Sequence, residues 1–214
     1  MPELSFQIEA AKAVPFAAAP LLSFDLRMTN TGPERVHTVA LRCQIQIEVT
    51  RRRYSPDDQG RLADLFGEPQ RWGQTLHNML WTQTGAVAPG FAGETRLELQ
   101  APCTFDFNVA AVKYFNGLED GEIPLCFQFS GTVFYESGEG LQVAPISWDK
   151  EARFRLPVRV WKEMMDLYYP NSAWLCLRRD IFERLHQHKV RMGIPTWEQM
   201  LESLLQGAEA EVLR

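Results

Sequence analysis

Between Val39 and Val49 every second residue is apolar: Val39, Leu41, Cys43, Ile45, Ile47 and Val49 alternate with Ala40, Arg42, Gln44, Gln46 and Glu48. Successive side chains of a strand point to opposite faces, so a period of two sustained this far specifies a long strand with one face in a core and one in solvent. Such a strand needs neighbours on its edges and a second layer over its apolar face. A chain that contains it is committed to a sheet.

The neighbours are legible too. Leu4, Phe6 and Ile8 alternate, and so do Leu22, Phe24, Leu26 and Met28; the turn formers Asn30, Thr31, Gly32 and Pro33 then connect antiparallel strands. Thr95, Leu97 and Leu99 repeat the pattern, Phe105, Phe107 and Val109 read as a further short strand, and Ile123 to Tyr135 is the longest apolar run of the second half. Gly131 lies in the middle of that run, which marks a bulge or a close backbone approach. Beyond the turn at residues 136–140, Leu141 to Ile146 and Ala152 to Leu156 complete a set of seven or eight short strands. The long crossover helices that parallel strands require are missing between them, so the fold expected is mainly β with α additions: an antiparallel β-sandwich with immunoglobulin-like layering.

Two segments depart from the strand pattern. Ser55, Pro56, Asp57 and Asp58 give a cap, a proline at the first helical position and acids in the first turn, so a helical insertion is expected over about 55–80, divided at Gly67 and Pro69. It should cover one end or edge of the sandwich. After residue 157 helices replace strands. Val158 to Tyr169 is the first; a second starts at Asn171 or Ser172 and runs to Arg191, with Trp174, Leu177, Ile181, Phe182, Leu185 and Val190 as its apolar stripe and Gly193 as its stop. Thr196 and Gln199 form a capping-box pair for a last helix whose buried side is Trp197, Met200, Leu201, Leu204 and Leu205. This reading divides the chain into a sandwich domain over 1–157, C-terminal helices over 158–206 packed on it as a cap, and a frayed tail over 207–214.

Charge and composition exclude several function classes. With 22 Lys plus Arg against 27 Asp plus Glu the net charge is -5, which does not suit a general affinity for nucleic acid or anionic bilayers. No apolar run reaches the roughly 20 residues of a membrane helix, and the first residues lack a basic segment followed by an apolar one, so a cytoplasmic location is expected. The cysteines, Cys43, Cys103, Cys126 and Cys176, have no CxxC spacing and read as reduced, small hydrophobes.

Site chemistry is sparse. His186 and His188 lie two apart on a helix, about 200° around its axis, and cannot share an ion there, while His37 and His77 have no carboxylate at ligand spacing. No GxSxG elbow is present, and the glycines near residues 117–121 and 138–140 are not followed by Lys-Ser or Lys-Thr. No cofactor, metal site or catalytic residue is assigned, and the chain is expected not to be an enzyme.

What remains is a possible interaction surface. Arg51, Arg52 and Arg53 form a cationic cluster at the end of the best strand, able to meet an acidic partner, although alternation splits them between two faces and Asp57, Asp58 and Glu68 offer pairing within the chain. Trp72, Trp81, Phe91, Tyr114, Phe115 and Trp148 fall near helix ends or between strands, where large rings either find cover or present a surface to a partner. Core cover by the helical additions accounts for most such rings; an interaction face made of the insertion and adjacent loops is the functional expectation. The alternative is a small-molecule binding module, with a pocket between sandwich and C-terminal helices lined by Tyr168, Tyr169 and Trp174.

Taken in order, ALRCQIQIE, LFGEPQRWG, APGFAGETRLELQAPCTFDFNVAAVKYF, LEDGEIPLCFQFSGTVFY and LQVAPISWDKEARFRLPVRVW resemble an uncharacterised bacterial family, a domain of unknown function associated with gene clusters for actinobacterial-type, oxygen-tolerant nickel-iron hydrogenases. The likeness runs from Leu4 to about Leu205. It implies a cytoplasmic accessory protein in the assembly, maturation or regulation of that enzyme, with a hydrogenase subunit or maturation factor as partner, and it brings no catalytic residues. The absence of CxxC and His-rich tracts speaks against direct nickel delivery or iron–sulfur ligation.

Overall fold

The computed structural model describes residues 2–104, 109–138, 140–173 and 175–212. Its eight strands are β1 (Leu4–Ala13), β2 (Leu21–Asn30), β3 (Val36–Ile47), β4 (Met79–Ala88), β5 (Glu94–Pro102), β6 (Glu122–Ser137), β7 (Gly140–Pro145) and β8 (Glu151–Pro157). All pairings are antiparallel. One sheet has the order β1-β2-β5; the other runs β4-β3-β6-β7, with β8 also on β6. Their inner faces meet through aromatic contacts: Phe6 stacks on Phe129 at 4.3 Å, and Phe24 sets its edge against Phe127 at 5.0 Å. This is the expected sandwich, and β3 is its central strand with Val39, Leu41, Cys43, Ile45 and Ile47 all buried.

β7 and β8 are in effect one strand broken once. The first pairs with the C-terminal half of β6, from Ser137 opposite Gly140 to Thr132 opposite Pro145. The second pairs with the N-terminal half, from Gln128 opposite Glu151 to Glu122 opposite Pro157. Between them residues 146–150 leave the ladder, anchored by the Ile146 amide donating to Gly131 O at 2.9 Å and the Phe129 amide donating to Lys150 O at 2.9 Å. Gly131, opposite the break, has φ of 135°, and a Cβ there would lie 2.1 Å from Ala40 O. Only glycine fits that close crossing of backbones.

Two elements differ from the sequence reading. β4 was hidden because a bulge spoils its alternation: Ile45 pairs with Thr82 and Gln46 with Leu80, so Trp81 is an extra residue and both Trp81 and Thr82 turn inward. The insertion accordingly ends earlier than residue 80. It consists of α1 (Pro56–Phe66), a 3-10 turn (Pro69–Arg71) and α2 (Trp72–Thr75). Ser55 caps α1, its side chain accepting from the Asp58 amide, with the Asp58 carboxylate returning to the Ser55 amide as a full capping box.

The second difference is α3 (Val109–Gly117), where Val109 had been counted into a strand. Ala111, Val112, Tyr114, Phe115 and Leu118 are buried, and their three- and four-residue spacing is helical. Phe105 and Phe107, the rest of that expected strand, lie outside the described residues.

After the strands comes α4 (Val158–Tyr168), which packs on the sandwich through Val158, Trp161 and Met164, all buried in the main core. Trp161 Nε1 donates to Asn116 Oδ1 at 2.8 Å, tying α4 to the end of α3. The chain divides into two compact units at residues 172 and 173, not at 157 and 158. α4 therefore belongs with the sandwich.

The second unit, residues 173–214, holds α5 (Arg179–Arg191) and α6 (Trp197–Val212). α5 starts later than Ser172 because Asn171 adopts a left-handed conformation, φ 53°, and turns the chain instead of capping a helix. Gly193, φ 63°, ends it as expected. α6 is opened by Thr196, whose Oγ1 accepts from the Gln199 amide at 3.2 Å, and it continues through residues 207–212, expected to fray.

Candidate interaction surface

The three arginines do not converge. β3 gives way to a 3-10 turn, Val49–Arg51, which sends each guanidinium a different way. Arg51 pairs with Glu48 at 3.2 Å, Arg53 is exposed, and the Arg52 side chain is buried. Arg52 donates Nη1 to Glu122 O at 2.6 Å and Nη2 to Asp120 O at 2.5 Å, reaches Asp58 at 3.5 Å, and lies over the Tyr54 ring. Asp58 in turn accepts from Arg61 at 3.1 Å and from the Glu119 amide at 3.1 Å. Only Arg52, the middle member, is buried, and it locks the helical insertion to the turn ahead of β6.

Asp58 stays ionised at the centre of this lock. Burial alone would raise its carboxyl, but the Glu119 and Ser55 amides, then Arg61 and Arg52, outweigh that and hold it below the ordinary carboxylate range.

Five of the six rings assigned to the interaction face are core. Trp72, Trp81, Phe91, Tyr114 and Phe115 are all buried. They form part of a continuous aromatic spine: Trp72 meets Tyr54 edge-on at 5.2 Å, Tyr54 meets Tyr114 at 6.4 Å, Tyr114 neighbours Phe115 at 5.9 Å, and Phe115 packs on Trp81 at 4.9 Å. Trp81 continues to Phe24 at 6.0 Å, in the middle of the sandwich. Phe91 is not part of that spine; its backbone forms an isolated antiparallel bridge with Val36. The unexpected α3 carries Tyr114 and Phe115 inward, and Phe115 in turn covers Trp81.

The polar tips along the spine are matched. Tyr54 donates its hydroxyl to Val49 O at 2.6 Å, so the 2.9 Å contact between the two phenols is donated by Tyr114. Burial, aided by Tyr54, pushes the Tyr114 phenol far above its ordinary value. Trp72 Nε1 donates to Gly67 O at 2.9 Å.

Trp148 is the exception. It sits in the 146–150 segment at 93% exposure, with Val143 at 61% and Leu141 at 58% on the edge strand just before it. The register shows which residues share the face of Leu141 and Val143. Val87, Ala40, Thr132 and Pro145 make one row across the outer side of the larger sheet, and Thr38, Phe134 and Val143 make the next. The result is an apolar band that the sequence reading missed, since each of its strands contributes only one or two such residues. Further along, the same face turns polar: Gln44 bonds Gln83 at 3.4 Å and Gln128 at 3.3 Å, beside Arg42 and Ser130 in an open groove.

Other chemistry is located as follows. Among the described residues no group of three or more His, Cys, Asp and Glu is placed to hold a metal ion. Cys43, Cys103 and Cys126 are buried free thiols, and burial pushes Cys43 and Cys103 up to about 12 and Cys126 up to about 11. The room beneath α4 is filled by Trp161 and Met164, and the Tyr168 hydroxyl is spent on the β1–β2 loop, donating to Val14 O at 2.6 Å. Trp174 lies outside the described residues. No helix among those described is long and apolar enough to cross a membrane.

A model of a family of unknown function, DUF6084, matches residues 1–213. No curated protein matches. Among solved structures the chain is similar to the CARDB domain of a Pyrococcus furiosus protein described in complex with di-metal ions, at 12% identity over 73% of this chain and 87% of that one, with a TM-score of 0.28. It is also similar to a putative late embryogenesis abundant protein, at 12% identity over 73% and 72% and a TM-score of 0.32. A putative ApaA protein from Bordetella pertussis gives 15% identity over 72% and 93%, with a TM-score of 0.26.

Proposed function

The chain belongs to the DUF6084 family, and from that premise we propose that it works by protein–protein contact, as a non-enzymatic accessory protein in the assembly, maturation or regulation of a nickel-iron hydrogenase. The observation that carries the contact reading is the apolar band on the outer face of the larger sheet, from Val87 at 71% exposure to Val143, with Trp148 projecting beside its edge. Scattered exposed apolar residues are ordinary; rows of them aligned by strand register, next to a nearly free indole, are what partner surfaces have in common. The choice of client rests on the sequence resemblance described at the outset.

The edge strand adds a second means of contact. Among the described residues β7 pairs with β6 on one side only, and its other edge carries backbone groups beside Leu141 and Val143. A client segment laid there would gain both backbone hydrogen bonds and apolar cover.

The test is co-expression of tagged protein with the hydrogenase structural and maturation genes. Wild-type protein should retain a hydrogenase subunit or maturation factor through purification, and Val143→Asp with Trp148→Ala should lose it while the fold's thermal transition is unchanged. Retention by the double variant, or no hydrogenase-related protein on the wild type, removes the reading.

A further inference from the structure

The C-terminal unit leaves uncovered the apolar surface that its sequence prepares for a core. On α6, Met200 is fully buried, yet Leu201, Leu204 and Leu205 are exposed, Leu205 at 63%. On α5, Phe182 and Val190 are exposed and Ile181 and Leu185 only half-buried. The two helices touch through Phe182, His186 and Lys189 of α5 against Trp197 at the start of α6. Beside that contact an open groove is lined by Ile181, Leu185 and Leu204, with Arg184, His188 and Arg191 also around it. A hairpin of this length is too small to close a core by itself.

The charge distribution says what fits. Arg184, His188 and Arg191 are spaced four and three apart, so they share one flank of α5. On α6, Leu201, Leu204, Leu205 and Ala208 form an apolar stripe, and Glu198, Glu202 and Glu209, spaced four and seven apart, run along one flank of it. The ideal occupant of the groove is an amphipathic helix with an acidic edge, and α6 itself is such a helix. We infer that the C-terminal unit is a self-association module: two copies of the chain pair their α5–α6 hairpins, the acidic flank of each α6 meeting the basic flank of the other copy's α5. Two-fold symmetry makes both contacts equivalent and closes the assembly at a dimer. In the resulting four-helix arrangement the leucines of α6 are covered and the charges lie at the rim, where they select the partner and the helix order more than they add affinity.

Sedimentation velocity and light scattering on the full chain, over a concentration series, test this. The expected mass is that of a dimer of the 24.5 kDa chain at high concentration, dissociating on dilution and more readily in high salt. Leu204→Glu with Leu205→Glu should weaken dimerisation about 30-fold or more. A charge-swap pair guards against misfolding as the cause. Arg184→Glu/Arg191→Glu and Glu198→Lys/Glu202→Lys should each be monomeric alone, and mixing them should restore a heterodimer, since both cross-copy contacts are then again of opposite sign. A wild-type chain that is monomeric throughout overturns the inference, whether the groove is then filled by the chain's own sandwich or by another protein. A dimer that the leucine variants do not weaken, or charge-swap variants that do not recombine, overturns it as well.

Discussion

Asp58 shows how much structure one carboxylate can organise when it is buried among donors. It caps α1, orders the turn before β6 through the Glu119 amide, and neutralises Arg52, whose own bonds reach Asp120 O and Glu122 O. Removing one partner of such a pair leaves the other charge uncompensated, so Asp58→Ala should cost about 3–5 kcal/mol in denaturant unfolding. The pH dependence has a definite sign. Because the carboxyl is held below its unfolded value, its contribution is complete above the unfolded carboxylate range near pH 4 and is lost as pH falls through the lower folded value. Asp58→Asn should therefore be less stable than wild type at neutral pH, and the gap should narrow on acidification; a constant gap from neutral to strongly acidic pH would contradict the assignment. Residue-level reading of the sequence offered three arginines, Arg51 to Arg53, and three acids, Asp57, Asp58 and Glu68, for pairing within the chain. That Asp58 takes Arg52 and not Arg51 or Arg53 follows only from the 3-10 turn after β3.

At the scale of elements, glycines separate the positions that permit a side chain from those that forbid one. Gly131 has φ of 135° and would place a Cβ against Ala40 O, so Gly131→Ala must both strain the backbone and push β3 away from β6. The expected cost is at least about 2 kcal/mol, a fall in melting temperature of about 4–8 °C for a chain of this size. Gly60 is the opposite case: it lies inside α1, and nothing stands within 4 Å of a Cβ there. Gly60→Ala should stabilise by about 0.5–1 kcal/mol through reduced freedom of the unfolded chain. A melting-temperature comparison of the two variants checks both signs at once. The strands with a long alternating stretch, Leu4–Ile8 of β1, Leu22–Met28 of β2, Val39–Ile47 of β3 and Thr95–Leu99 of β5, are plain in the sequence because half-buried strands advertise their period. β4 is not, because the bulge at Trp81 puts two neighbours on one face, and α3 is not, because Val109 continued the alternation of Phe105 and Phe107.

For the whole molecule, the division at residue 172 has a direct consequence. The sandwich, its insertion and α4 share one hydrophobic core, whereas α5 and α6 form a compact unit of their own. A chain ending at Ser172 should retain the cooperative thermal transition of the full protein to within a few degrees, about 1 kcal/mol for its size, while losing self-association. Loss of the transition on truncation would show that the sandwich depends on the last 42 residues. The apolar band near Trp148 and the leucine stripe of α6 lie on different units, so contact with a client and pairing of copies are separable by mutation.

By itself the sequence determined the class of fold, the long central strand, the helical insertion and the order of strands before helices, because local periodicity, caps and turn residues are written in neighbouring positions. It also named Trp148, as one of six rings that either find cover or face a partner. What only the tertiary structure decided is which of the other rings are interior. Burial of Trp72, Trp81, Tyr114 and Phe115 depends on α1 and α3, distant from each other in sequence, coming together with the sandwich, and the apolar band exists only because register aligns one or two residues from each of four strands. Side-chain chemistry is a property of residues; exposure is a property of the assembled layers, and no window along the chain contains it.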